Sequence, residues 1–557
     1  MSESKPWLKI YPKGVPANID PDKYSSILEL LDKGVEKFGD LPGYTCMDKT
    51  LTFRQVNTYA EQFGAYLQSR GLVKGDKIAL MMPNLLQYPI AIFGALKAGL
   101  VLVNTNPLYT PREMLHQFTD ADVKAIIIAE NFAANLEKII KETEINTVIL
   151  ASIGEMLSWP KSSIVNFVVR KVKKMVPAFN LANTVSFKEA IKLGKKFSLT
   201  PLESKAEDVI MLQYTGGTTG VSKGAMLTNR NMIANMLQIE SIMITQLKEA
   251  EEVILCPLPM YHIFAFTVNG LAMLSIGAHN ILITNPRDQK GLIKEIKKYP
   301  ISIIPGVNTL FNAMLHNDDF KALDFSKLKI SVAGGMAVQR SVAEKWEQVT
   351  GCPLSEGYGL TESSPVASMN PLDGTGRIGT IGLPVSSTDM RLVDDKGEVV
   401  PTGERGEIQI KGPQVMKGYY KRQDETDKVL SDGWLSTGDI GKMYEDGFFE
   451  IVDRKKDMIL VSGFNVFPNE VEDVVSRHPK VLEAAVIGVP DERSGEVVKL
   501  FVVKKDKSLT EKEIISYCRE SLTGYKVPKH VVFRKELPKT NVGKILRRKL
   551  KEEENQD

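Results

Sequence analysis

The sequence predicts an α/β architecture with largely parallel sheets, and three observations predict it. Apolar runs of strand length alternate with helix-length segments from the amino terminus to about residue 332. Short strand-like runs punctuated by glycine and proline follow from about residue 376, as expected for a small, mostly β subdomain. The charged run Asp453-Arg454-Lys455-Lys456-Asp457 then precedes a compact last hundred or so residues, where two or three strands and helices fit. A chain of 557 residues exceeds what one core organises. The boundary falls at this charged run, dividing the chain into 1–453 and 454–557.

Taken in order, residues 77–81, apolar after Lys77, and 125–128 show no alternation, the pattern of strands buried on both faces, with a helix over 89–98 between them. Over 164–176, apolar Ile164, Val165, Val168, Val172, Met175 and Val176 recur at helical spacing, with Arg170, Lys173 and Lys174 on the other side. That segment suits an anionic bilayer surface and an ordinary packed surface helix equally. Residues 209–212 form a buried strand, and Asn229 caps a following helix. Residues 254–283 are apolar, but Pro257, Pro259, His262, Asn269 and His279 interrupt them, so a buried core helix is expected rather than a membrane span. Further strands are expected at 253–255, 301–304 and 330–332, then at 390–393 and 407–410.

The most informative stretch is Tyr214-Thr215-Gly216-Gly217-Thr218-Thr219-Gly220-Val221-Ser222-Lys223-Gly224-Ala225. Four glycines among hydroxyl residues leave so little side-chain bulk that backbone N–H groups can close around phosphate oxygens, while Lys223 supplies positive charge. Gly224 follows the lysine where a Walker A loop has Ser or Thr, so ordinary P-loop hydrolysis is not expected. Gly334-Gly335 follows a strand and lets backbone approach a base. In Glu356-Gly357-Tyr358-Gly359-Leu360-Thr361-Glu362 the ring of Tyr358 can face a purine, with Thr361 close behind and Glu362 as a magnesium ligand. Asp439, just past Thr437-Gly438, suits ribose hydroxyls, and Lys544 lies in a glycine-containing turn that can carry one cation into a cleft.

Together these motifs, with Met82-Pro83-Asn84, Asn106-Pro107-Leu108-Tyr109-Thr110-Pro111-Arg112 and the run from 538 to 548, resemble the adenylate-forming acyl-CoA synthetases nearly end to end, and most closely the bacterial long-chain fatty-acid–CoA ligases. The resemblance implies a large domain of two layered sheet-and-helix subdomains plus a small distorted β-barrel, and a mobile α+β carboxyl-terminal domain hinged at Lys456. It implies ATP and coenzyme A as substrates beside a fatty acid, and Mg2+ as cofactor. Arg454 would contact ribose or phosphate, Lys544 would bridge carboxylate and α-phosphate, and His262 would sit by the acyl carbonyl. Ser462 and Gly463 would lie near the path of coenzyme A. Acetate-specific relatives carry a bulky aromatic where this chain has Gly359, so the acyl pocket is expected to be open, with Phe264, Phe266 and Met336 either lining it or belonging to the core. The family often has His where Ser436 stands here.

Composition narrows the partners. Hydrophobic residues at 43% and a net charge of +3, from 71 basic and 68 acidic side chains, describe a soluble globular chain with no polyanion-binding field, so nucleic acid is not expected. Cys46, Cys256, Cys352 and Cys518 are isolated, with neither metal-site nor disulfide spacing. With a polar amino terminus, they point to the cytoplasm. Peripheral contact with the inner face of a membrane and a homodimer are compatible with the resemblance. Three rival readings remain at this stage: a medium-chain or aryl acid–CoA ligase, a membrane-embedded lipid carrier, and a nucleotide-binding regulator without turnover.

Overall fold

The computed structural model describes residues 5–215, 222–462, 464–491, 493–540 and 543–554. Gly216, Gly217, Thr218, Thr219 and Gly220 of the expected phosphate loop lie outside the described residues, as does Gly463. The alternation of strands and helices builds two large sheets. In the eight-stranded sheet, Lys77–Met81, Val101–Asn104, Val123–Ala129, Thr147–Ala151 and Thr184–Ser186 run parallel with Val209–Thr215, and Lys223–Thr228 and Gly418–Tyr419 complete one edge antiparallel. The nine-stranded sheet is parallel through Val253–Cys256, Ile303–Gly306, Ile330–Ala333 and Leu354–Gly359 and antiparallel at both margins. Helices cover both faces, which is why Ile78, Ala79, Leu80 and Met81 are all fully buried despite pointing to alternate sides.

Several local expectations are corrected. Thr228, not Asn229, caps the helix Asn229–Met243: its hydroxyl accepts from the Asn231 N–H while the Asn231 side chain returns to the Thr228 N–H, and Asn229 instead accepts from the Ile27 N–H at 3.0 Å. The expected core helix over 254–283 is a strand, three short helical pieces between Ile263 and Ser275, and a second strand, His279–Leu282. Pro257 and Pro259 stop any helix from starting earlier. The strand expected at 301–304 begins two residues later, at Ile303. No helix among the described residues is long and apolar enough to cross a membrane.

An antiparallel five-stranded sheet, Asp389–Val393, Arg405–Lys411, Leu430–Ser431, Trp434–Met443 and Phe449–Arg454, follows the two large ones. The carboxyl-terminal part contains five strands rather than two or three, among them the long hairpin Val481–Asp491 and Gly495–Lys504. Its own core gathers Val471, Val475, Val486, Leu500 and Ile514, all buried, beneath the helices Pro468–Ser476 and Glu511–Ser521. The four cysteines are buried free thiols.

Candidate active site

A cleft of about 2230 Å³ opens where the strand ends of the two large sheets, the antiparallel sheet and the carboxyl-terminal part meet. The hairpin Val209–Thr215 and Lys223–Thr228 places Thr215 opposite Lys223 and Tyr214 opposite Gly224. Tyr214, Thr215 and Lys223 face the cleft, whereas Gly224 serves packing: a Cβ there would stand 2.9 Å from the Tyr214 ring. That ring is held by its hydroxyl, which donates to Asp120 at 2.6 Å. Lys223 Nζ sits 2.5 Å from a Glu425 carboxylate oxygen and 4.6 Å from the centre of the Tyr419 ring.

Glu362 and Thr361 occupy a single helical turn after the strand Leu354–Gly359. Burial raises the Glu362 carboxyl, and the Tyr419 hydroxyl, donating to it at 2.7 Å, draws it partly back. Asp439 and Arg454 are register partners on neighbouring antiparallel strands, which brings two residues fifteen positions apart together in the cleft wall. The Tyr358 hydroxyl donates to Asp439 Oδ2 at 2.7 Å, and Arg454 Nε lies 3.4 Å from Oδ1. Tyr358 is thus pinned by its hydroxyl and exposes little beyond its ring to the cleft.

Lys544 enters from the carboxyl-terminal part. Its turn is closed by the Thr540 N–H donating to the Lys544 carbonyl at 2.7 Å and the Lys544 N–H donating to the Thr540 hydroxyl at 3.0 Å. Gly543 rests on the large domain: Thr309 Oγ1 donates to its carbonyl at 3.2 Å, and at φ +83° any Cβ would fall 2.4 Å from that same oxygen. Burial first, then Arg454, lowers the Lys544 ammonium to about 7. Burial and then Lys544 lower His262 to about 4, so its imidazole is neutral, accepting from the Phe264 N–H as a helix cap. Lys456, depressed to about 8 by burial and Arg454, lines the same wall.

The remaining candidates divide. Phe264 and Met336 line the cleft, but Phe266 is wholly buried in the core and does not reach the cleft wall, which settles its two expected places in favour of the core. Gly334 leaves room for the Phe264 ring, 3.1 Å from where its Cβ would be, and Gly335 takes φ +78°. Gly359 borders the cleft, yet its Cβ would collide with the Pro365 carbonyl oxygen at 1.9 Å. The backbone crossing alone demands glycine, so this residue says nothing separate about acyl length. Ser462, at φ +51°, donates its N–H to the Ser494 carbonyl at 2.7 Å in the carboxyl-terminal sheet and is not on the cleft wall.

Sequence reasoning missed Arg547. Its guanidinium meets Asp453 at 3.3 Å, Asp457 at 3.4 Å and Glu472 at 2.8 Å, tying the end of the antiparallel sheet to the carboxyl-terminal part in a buried network. The signal was its basic side chain three residues after Lys544, at the first residue of the helix Arg547–Glu554. Removing such a partner leaves buried carboxylates uncompensated, so Arg547→Met is expected to lower stability by about 3–5 kcal/mol at pH 8. Burial already raises Asp453 to about 6, and Arg547 opposes that rise. A carboxyl raised on folding favours the folded state at low pH and loses that contribution as pH climbs through the folded value. Without Arg547 the loss extends to higher pH, so the deficit should shrink as denaturation is repeated from pH 8 down to pH 5. A deficit independent of pH would assign the cost to lost packing instead.

A cleft whose wall carries Asp439 and Arg454, and which Lys544 completes from the carboxyl-terminal part, has the form of an enzyme site for a charged small molecule. The chain belongs to the AMP-binding enzyme family, which matches residues 31–420, with the AMP-binding enzyme C-terminal domain matching residues 470–544. It is 55% identical over 551 residues to the long-chain-fatty-acid–CoA ligase of Yersinia pestis, covering 99% of this chain and 98% of that one, and 40% identical over 561 residues to the ligase of the same name from Bacillus subtilis, covering 100% and 99%. Among solved structures it superposes on the anthranilate CoA ligase AuaEII in complex with anthranoyl-AMP with a TM-score of 0.86 at 25% identity, covering 97% and 99% of the two chains. ATP-bound MatB from Rhodopseudomonas palustris gives 0.80 at 25% identity over 95% and 99%.

Proposed function

We infer that this chain is a long-chain-fatty-acid–CoA ligase that makes an acyl-adenylate and then a thioester. The observation that carries the chemistry is Lys544, an amine brought into the cleft from the carboxyl-terminal part where Asp439 and Arg454 stand. A fatty carboxylate oxygen attacks the α-phosphorus of ATP, the bond to the bridging oxygen breaks, and pyrophosphate leaves. Negative charge grows on α-phosphate oxygens in that step, so Lys544 and Arg454, already desolvated and held in place, stabilise it without reorganisation. Asp439 accepts from the ribose hydroxyls, and Tyr358 and Arg454 hold the carboxylate for that task. Lys223 would leave Glu425 for the outer phosphates, and the glycine loop would supply N–H donors.

Among the described residues no group of three or more His, Cys, Asp and Glu can hold a metal by itself. One carboxylate, Glu362, fits a cation that takes most of its shell from phosphates and water. Bound there, magnesium would neutralise charge on the departing pyrophosphate. In the second step the sulfur of coenzyme A attacks the acyl carbonyl and AMP leaves, with neutral His262 near that carbonyl and Ser462 and Gly463 brought toward the thiol by rotation about Lys456. Cytoplasmic residence with peripheral membrane contact suits an enzyme whose substrate partitions into lipid.

Exchange of labelled pyrophosphate into ATP, driven by acids of increasing length, tests this reading. Each methylene buried along the pocket beside Phe264 and Met336 should raise kcat/KM about four-fold until the tunnel is filled, from about 0.8 kcal/mol per group. Oleate should yield AMP. Production of ADP, or a preference for benzoate over oleate, would overturn the assignment.

A further inference from the structure

The segment between the strands Thr147–Ala151 and Thr184–Ser186, at the edge of the eight-stranded sheet remote from the phosphate hairpin, is built inside out. A helix Lys161–Phe167 widens into a π-turn over Val168–Val172. Charge anchors it to the body. Arg170 donates to both carboxylate oxygens of buried Glu130, at 2.7 Å and 3.0 Å, and to the Ser152 hydroxyl at 2.9 Å. Val169 is buried beside this anchor, but Trp159, Ile164, Phe167, Val172 and Met175 are 83%, 58%, 61%, 64% and 50% exposed. Five of the fourteen exposed large hydrophobic residues among those described thus fall within 159–175. Of the two readings of this segment, a packed surface helix would bury these apolar side chains; instead they point out, while Arg170 reaches across to Glu130.

The charge of the segment is as one-sided as its hydrophobicity. From residue 156 to 188 there is no Asp or Glu, while Lys161, Arg170, Lys171, Lys173, Lys174 and Lys188 are present in a chain otherwise balanced at 71 against 68. Lys171, Lys173 and Lys174 are exposed around Val172 and Met175. Lysines whose stems flank apolar tips, with no acidic residue among them, match a surface that is negative outside and apolar just beneath. A protein partner would have to offer the same layered order.

We propose that Trp159, Ile164, Phe167, Val172 and Met175, ringed by Lys171, Lys173 and Lys174, dock this chain on an anionic lipid bilayer. The apolar tips enter the acyl boundary, and the lysines stay at headgroup phosphates. The Arg170–Glu130 pair keeps the segment from folding its apolar side back onto the body. It rests on the peripheral membrane contact proposed above and gives that contact a surface; because docking needs no fatty-acid substrate, its failure is distinguishable from failure of the ligase chemistry.

The test is binding of the full chain to vesicles of phosphatidylcholine with or without phosphatidylglycerol, some with brominated acyl chains. Trp7, Trp346 and Trp434 are buried, so of the four tryptophans only Trp159 can report insertion. Expected are binding to the anionic vesicles alone, weakening in high salt, and bromine quenching that Trp159→Phe abolishes. Lys171→Gln/Lys173→Gln/Lys174→Gln should weaken binding by about 100-fold, from roughly five-fold per lysine near an anionic surface. Phe167→Ser should weaken it too, with pyrophosphate exchange on a water-soluble short acid unchanged as the check on folding. Equal binding to neutral vesicles, absence of bromine quenching, or unaltered binding by these variants would overturn the proposal. So would a lipid-free dimer that Phe167→Ser dissociates, which would give the patch to a second copy.

Discussion

Replacing Lys544 with alanine is expected to slow adenylate formation by about two to three orders of magnitude while leaving thioester formation from supplied acyl-adenylate near the parent rate. The asymmetry follows from where charge develops. In the first step two anions meet at phosphorus, and Lys544 is the buried cation delivered to them. In the second a thiol meets a neutral carbonyl, and the amine has nothing comparable to stabilise. Burial and Arg454 hold this amine at about 7, so at pH 8 it is mostly neutral. ATP brings several negative charges, which favour the ammonium again and oppose that depression. Binding should therefore take up protons at pH 8, measurable by titration calorimetry in buffers of different ionisation enthalpy. Lys544→Ala should shrink the uptake, with the residue left by Lys456, depressed to about 8. Equal slowing of both half-reactions would remove Lys544 from the role given to it.

Much of the scaffold could be read from composition along the chain because parallel strands buried on both faces are apolar without interruption, as at 78–81 and 125–128. Asp439 and Lys544 could be placed in the cleft because each follows a glycine at positive φ, Gly438 within the strand Trp434–Met443 and Gly543 in a turn. What failed was whatever depends on which residues meet across the fold. Gly359 reads as pocket space but is dictated by the Pro365 carbonyl, and Gly224 reads as phosphate contact but makes way for the Tyr214 ring. Phe266 has the same local signature as Phe264, two residues apart on a winding segment, and only the packing sends one to the core and the other to the cleft. Thr309 and Glu425 carry no motif at all. Each matters through one partner more than two hundred positions away in the chain. The segment over 164–176 was periodic enough to be recognised as amphipathic, but periodicity does not say which side faces in; the acidic Glu130, far upstream, decides that.

Lys456→Pro is expected to leave adenylate formation within about three-fold of the parent and to reduce acyl transfer to coenzyme A by about 100-fold, the scale set by small misplacements of reacting groups. Lys456 lies in the turn between Phe449–Arg454, the last strand of the antiparallel sheet, and Ile459–Val461, the first of the carboxyl-terminal sheet. The turn is held by the Asp457 and Met458 N–H groups, both donating to the Arg454 carbonyl, at 3.0 Å and 3.2 Å, and by Lys455 donating to the Gly438 carbonyl at 3.0 Å. None of these uses the Lys456 N–H, so proline takes away no bond that keeps Lys544 in the cleft. It does restrict backbone rotation at 456 and at the preceding residue. Rotation is what the proposed second step requires, because with Gly543 seated on Thr309 Ser462 is not on the cleft wall. Single-turnover experiments with labelled fatty acid separate the two steps, as adenylate should accumulate and persist after coenzyme A is added. Lys456→Ala, which removes the amine but keeps the backbone free, should transfer the acyl group far faster than the proline variant. Should the two variants transfer at the same rate, the side chain and not the hinge would be the cause, and the pivot would have to be sought elsewhere between the two sheets.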